Sequence, residues 1–208
     1  MIYQNKAELI SKLVRSSDVV LDVGFWGQGV QEGNPQWPHT LLRRAAKEVY
    51  GVDIDMSKSF ASDRRYLKAS AEDFDFPAKF DVIFAGDIIE HLSNPGLFLA
   101  SCKKHLSPGG RLLITTPNAF NLFNLAEKLT KCEPTVNADH TCYFNSKTLR
   151  KLLEKNGMEA TEVNFLYSLG CGHTESLKKK FLNILYRLLS FFTDKFIETL
   201  VVVAKVRP

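Results

Sequence analysis

The stretch Val19-Val20-Leu21-Asp22-Val23-Gly24-Phe25-Trp26-Gly27-Gln28-Gly29 constrains the fold of this chain more than any other. A short β-branched and aliphatic run, broken only by Asp22, reads as a parallel strand covered on both faces. It stops abruptly in three glycines, where backbone can turn tightly and come close to a ligand. Asp22 falls at the carboxyl end of that strand, the edge at which open α/β sheets bind ligands.

A second short apolar run, Val49-Tyr50-Gly51-Val52-Asp53, also ends in an acid. In nucleotide-binding βαβ units an acid about 20 residues beyond the glycines accepts hydrogen bonds from ribose hydroxyls. The gap here is somewhat longer, and residues 32–39 read as the insertion responsible. Glycine loop and acid together point to a nucleoside-containing cofactor.

The remaining elements alternate. Residues 5–15 place Leu9, Ile10, Leu13 and Val14 on one helical face. Residues 31–38, with two prolines, one glycine and Trp37, read as loop, and Thr40 as the cap of a helix reaching about Lys47. Residues 64–68 form a weak third strand and 80–85 a clear fourth. Asn94-Pro95 starts a helix that Ser107-Pro108-Gly109-Gly110 ends. A fifth strand covers 111–116. Residues 121–129 and 146–155 read as helices, 159–166 and 199–206 as late strands able to pair antiparallel at the sheet edge. The alternation predicts an α/β fold with a parallel doubly wound sheet. At 208 residues, a single domain over 1–208 is expected.

Composition excludes little. A net charge of +4 suits an anionic substrate, a membrane surface or nucleic acid without choosing among them. Four cysteines with no CxxC pair fit a reducing cytoplasm. Charged residues interrupt positions 1–17, leaving no signal-peptide core, and no run is long enough to span a bilayer.

The motifs in order resemble the class I S-adenosylmethionine-dependent methyltransferases, from Val19 to Lys205. The carriers are Leu21-Asp22-Val23-Gly24, Val49-Tyr50-Gly51-Val52-Asp53, Ala69-Ser70-Ala71-Glu72-Asp73, Phe80-Asp81-Val82-Ile83, and Glu90-His91-Leu92 through Pro108-Gly109-Gly110 to Thr116-Pro117-Asn118. His140 with Tyr143-Phe144-Asn145 is similar to the later part of small-molecule O-methyltransferases of the ubiquinone-biosynthesis type. The resemblance implies a Rossmann-like seven-stranded sheet, order 3-2-1-4-5-7-6, with strand seven antiparallel. It implies S-adenosyl-L-methionine as cofactor and S-adenosyl-L-homocysteine as product. Asp22 and the loop of Gly24, Phe25, Gly27 and Gly29 would hold the methionine end. Asp53, with Ile54, would take the ribose. Ala71, with Ser70 or Glu72, would meet adenine, and Gly86 would lie beside the sulfonium. The loop departs from the usual D-x-G-x-G-x-G by one extra residue at Phe25-Trp26, and Ser70 stands where aspartate is frequent.

The implied activity is in-line methyl transfer to a small molecule, most simply a hydroxyl acceptor, with alignment as the main catalytic device. His91, after the fourth strand, and His140, in the later loop, are the candidate general bases, with Glu90 or Asp139 to orient an imidazole. No metal is assigned: His140-x-Cys142 and Cys171-x-His173 would offer four zinc ligands, but a one-residue spacing is unlike the usual knuckle. A nicotinamide enzyme would want G-x-G-x-x-G, which Gly24, Gly27 and Gly29 do not supply. Nucleic-acid methylation would want an N/D-P-P-[YF] motif after strand four, where Gly86-Asp87-Ile88-Ile89 stands. A cofactor-binding module without turnover remains the non-enzyme alternative. Residues 176–197 carry apolar side chains on more than one face among lysines, and read as a core helix, a lid, or a contact with a membrane surface.

Overall fold

A computed structural model describes residues 1–26, 34–130, 133–134, 137–167 and 196–207. Its centre is one mixed sheet. β1 (Ile2–Tyr3), β2 (Val19–Val23), β3 (Glu48–Asp53), β4 (Tyr66–Lys68), β5 (Phe80–Gly86), β6 (Leu106–Pro117), β7 (Met158–Leu166) and β8 (Thr199–Val206) lie in the order β1-β7-β8-β6-β5-β2-β3-β4. β2 pairs in parallel with β3 and β5, and β5 with β6, while β8 runs antiparallel between β6 and β7. The expected strand order and the antiparallel last strand are present.

The expected count of seven is one short. β1 is a two-residue strand lying parallel to Phe165-Leu166 at the sheet edge. Two residues carry no period to read, and only the partner strand makes them a strand.

The apolar run of β2 is explained by its place. Val20, Leu21 and Val23 are buried from both sides. Leu21 and Val23 join one core with Ile83, Phe98 and Ile114, and Val20 joins another with Leu9, Ile10 and Leu42. The second core is closed by α1 (Lys6–Leu13), capped by Asn5, and α2 (Pro38–Ala45). α2 begins two residues before the expected cap at Thr40, because Pro38 at its first turn needs no amide partner. α3 (Pro95–His105) and α5 (Ser146–Lys155) cover the first core, and α4 (Leu122–Thr130) follows β6. α5 opens in a capping box between Asn145 and Thr148.

The glycines after α3 do more than end it. β6 starts at Leu106 opposite Phe80 and resumes at Arg111 opposite Val82, and the chain between bulges out with Gly109 at φ 77°. Of the 176–197 segment, residues 176–195 lie outside the described residues, as do Gly27, Gly29, Cys171 and His173. No described helix is long and apolar enough to cross a membrane.

Candidate active site

The carboxyl ends of β2, β3, β5 and β6 converge on one cavity of about 590 Å³. Gly24, Trp26 and Asp53 line one side. Asp87, Glu90, His91, Asp139 and His140 line the other.

Gly24 turns the chain at the end of β2 with φ 73°, its amide held by the Val52 carbonyl at 2.8 Å. A Cβ there would lie 3.0 Å from Ile88 Cδ1 and enter the cavity wall. Asp53 closes β3. Its Oδ2 accepts the Trp26 amide at 2.8 Å and its Oδ1 the Asp55 amide at 3.0 Å. Burial raises its pKa, and those amides oppose the shift. Each carboxylate oxygen has more than one acceptor site, so an anchored Asp53 can still receive hydroxyls. Ile54 beside it is 73% exposed and presents an apolar surface. This edge fits a nucleoside cofactor: a backbone turn without a side chain, an acid fixed by amides, and an apolar shelf.

The two other expected cofactor carboxylates have protein partners of their own. Asp22 is 3% exposed, and its Oδ2 lies 3.0 Å from His39 Nδ1 beneath the turn. Burial raises its pKa, with His39 opposing. The Glu72 carboxylate accepts the Asn94 amide at 2.8 Å, at the start of α3, while Ser70 Oγ receives the Glu72 amide. Glu72 thus fixes the 70–72 turn to α3: the Asn94 side chain makes no capping bond to its own helix and donates instead to Glu72 Oε2 at 3.3 Å. Phe25 is also turned away from the cavity, into a cluster with Trp37 and Phe60. Gly86 ends β5 against the Phe84 ring, where a Cβ would meet ring carbon at 2.7 Å.

His91 and His140, 49 positions apart, stand edge to face with ring centres 4.6 Å apart. The loop carrying His140 is zipped to the turn carrying His91. The Thr141 and Cys142 amides donate to the Glu90 carbonyl, and the Thr141 hydroxyl donates to the Leu92 carbonyl at 2.7 Å. Burial, then the neighbouring His91, lowers the His140 pKa, so its imidazole is neutral at neutral pH.

Glu90 emerges as more than an orienting group. It is 2% exposed, its Oε2 accepts the Thr116 hydroxyl at 2.9 Å, and its Oε1 is buried with no hydrogen-bond partner. Burial, then the Asp87 charge, raises its pKa to about 7. Donor atoms of Glu90, His91 and His140 all lie within 4.8 Å of one another, a spacing at which they can share a proton or a small cation. Asp87 adopts φ 54°, unusual for a residue with a side chain. Lys6 at 2.7 Å and Thr115 at 3.0 Å hold its carboxylate.

Trp26, Asp87 and His39 went unread in the sequence. Trp26 and Asp87 carried signals of position, following the two strand ends that bind ligands. His39 lay in a loop-like stretch with no periodicity.

The methyltransferase domain family matches residues 5–163. A ubiquinone biosynthesis O-methyltransferase of Nitrobacter winogradskyi is 30% identical over 57% of the chain, and the match spans 51% of that protein. Its counterpart in Aliivibrio fischeri is 28% identical over 77% of the chain and 72% of its own length. The human mitochondrial counterpart is 29% identical over 74% of the chain and 45% of its own. Some of these relatives are thus about twice as long as the region they share with this chain. Among solved structures, a Haloferax volcanii methyltransferase in complex with the Trm112 activator superposes with TM-score 0.65 at 14% identity, covering 98% of this chain and 89% of that one. The Burkholderia thailandensis 1,6-didemethyltoxoflavin N1-methyltransferase, bound to S-adenosylhomocysteine, superposes with TM-score 0.59 at 17% identity, over 98% and 79%. At such identities these structures speak for the fold. The family match covers most of the chain and includes every strand end that lines the Gly24–Asp53 side of the cavity, and the chain belongs to the S-adenosylmethionine-dependent methyltransferases.

Proposed function

We propose that the enzyme methylates a hydroxyl oxygen of a small molecule, with the cofactor lying along Gly24 and Asp53 and the acceptor beside His91 and His140. One observation carries this reading: both groups line a single cavity of about 590 Å³. That volume is in the range of small-molecule sites. S-adenosylmethionine, when bound, supplies a methyl group already activated by the sulfonium.

The chain's own residues then have separable tasks. Asp53 accepts the ribose hydroxyls, Ile54 and the Ser70-Ala71 backbone flank adenine, and the end of β5 at Gly86 borders the reacting centre. A neutral His140, or His91 beside it, takes the acceptor proton, and the buried Glu90 carboxylate stabilises the resulting imidazolium. A smaller cavity of about 190 Å³ shares Glu90, Pro117, Asn137 and His140 with the main one, and adds Asn121, Asn124 and Tyr143. Its size and amide lining suit a small polar ring. The names of the relatives, ubiquinone biosynthesis O-methyltransferases, agree with an oxygen acceptor.

The test is S-adenosylhomocysteine release against pools of phenols, other alcohols, carboxylates and amines. Turnover with a hydroxyl acceptor is expected. His140→Ala or His91→Ala should then slow it at saturating cofactor by about 10²-fold or more. Turnover confined to amines would overturn the acceptor class. Slowing below about threefold in both variants would remove the imidazoles from proton transfer.

A further inference from the structure

Asp22, Gly51 and Tyr66 stand in one row across three neighbouring strands: Asp22 is opposite Gly51, and Gly51 opposite Tyr66. The middle position has no side chain, and this opens a slot over β3. A Cβ on Gly51 would come within 2.7 Å of the Phe25 ring and 2.9 Å of the Tyr66 ring. His39, in the first turn of α2, bridges the row. Its Nδ1 is 3.0 Å from Asp22 Oδ2 and its Nε2 is 2.9 Å from the Tyr66 hydroxyl. A neutral imidazole with its proton on Nδ1 satisfies both, donating to the carboxylate and accepting from the phenol.

What the imidazole supports is the cofactor turn. Phe25 is the residue next to Gly24 and belongs to the Phe25-Trp26 pair that lengthens the loop by one residue. Its ring centre lies 5.0 Å from His39 and 5.2 Å from Tyr66, so the ring plugs the slot. Its carbonyl accepts the Trp37 indole N–H at 2.8 Å. The next amide, of Trp26, holds Asp53. His39 itself is fully buried and does not reach the cavity. An apolar side chain would fill the same space with no need for partners. Two polar ties at opposite ends of the ring instead fix its plane, and with it the plane of Phe25.

We propose that His39 is a positioning residue of the cofactor site: the Asp22–His39–Tyr66 chain locks the Phe25 plug, and so sets the turn at Gly24 and the carboxylate of Asp53 for binding. This rests on the reading that the cofactor lies along Gly24 and Asp53.

The test uses His39→Phe and Tyr66→Phe, the second removing only one hydroxyl. Affinity for S-adenosylhomocysteine is measured by calorimetry. Near-ultraviolet dichroism, which senses Trp26 and Trp37, and the melting temperature are recorded without ligand. Each folded variant is expected to bind about tenfold or more weakly, the effect of one lost buried partner. The aromatic dichroism should shift, and the loss of activity should appear in KM for the cofactor while kcat stays within about threefold. Folded variants that bind within about twofold of the parent, whatever their melting temperatures, would overturn the proposal. Should His39→Phe not fold, Tyr66→Phe decides. If Asp53→Ala weakens binding and these variants do not, the positioning role alone fails. If the parent protein does not bind the ligand, the reading beneath it fails.

Discussion

Replacing Glu90 by glutamine should change how stability depends on pH. In the folded chain the carboxyl pKa rises from 4.5 to about 7, because burial and then the Asp87 charge disfavour the ionised form, with the Thr116 hydroxyl and Lys6 opposing. The folded state therefore holds this proton more tightly than the unfolded chain does. The stability it contributes is complete below about pH 4.5, falls as pH rises through about 7, and is gone above that. At about 1.4 kcal/mol per pKa unit the loss is on the order of 3 kcal/mol. For a chain of this length that corresponds to a melting temperature lower by about 6–12 °C. Glutamine keeps the shape and the acceptor for Thr116 but cannot ionise. Urea midpoints of parent and Glu90→Gln at pH 5, 7 and 8.5 isolate the effect, since other titrating groups cancel in the difference. The glutamine variant should gain on the parent by about 2.5 kcal/mol between pH 5 and 8.5, since a little of the effect is already lost at pH 5. A difference independent of pH would refute the buried, proton-holding carboxyl.

Other outcomes follow from packing. Gly51→Ala drives a methyl into the Phe25 and Tyr66 rings, and should cost about 1–3 kcal/mol of stability and weaken cofactor binding, read by melting and calorimetry. Asn145→Ala removes the capping box of α5 and should cost about 1 kcal/mol while cofactor affinity stays unchanged.

Much of this arrangement is legible along the chain, for a physical reason. β2, β3 and β5 are short, mostly apolar runs, since helices bury both faces of the sheet there, and α5 is framed by Asn145 and Gly157. Glycine and acid at the ends of β2 and β3 mark the ligand edge. Relations across the sheet are not legible. Asp22 looks like a ligand residue because it sits at a strand end, yet the row through Gly51 to Tyr66 makes it a partner of His39. Glu72 lies in the motif expected to meet adenine, and its side chain is bonded to Asn94, 22 residues on. His91 and His140 could each be named singly. The bonds from Thr141 and Cys142 to the Glu90 and Leu92 carbonyls, between residues far apart in the chain, bring them together.

Binding of S-adenosylhomocysteine to Asp53→Ala, measured by calorimetry beside the parent, tests the account most directly. Asp53 accepts the Trp26 and Asp55 amides at the mouth of the cavity, so the melting temperature of the variant is recorded beside its affinity and binding is compared in the folded protein. If Asp53 accepts the ribose hydroxyls as proposed, its loss should weaken binding by about 1.5–3 kcal/mol, roughly ten- to a hundredfold. Unchanged affinity in the folded variant would place the cofactor elsewhere and contradict the account.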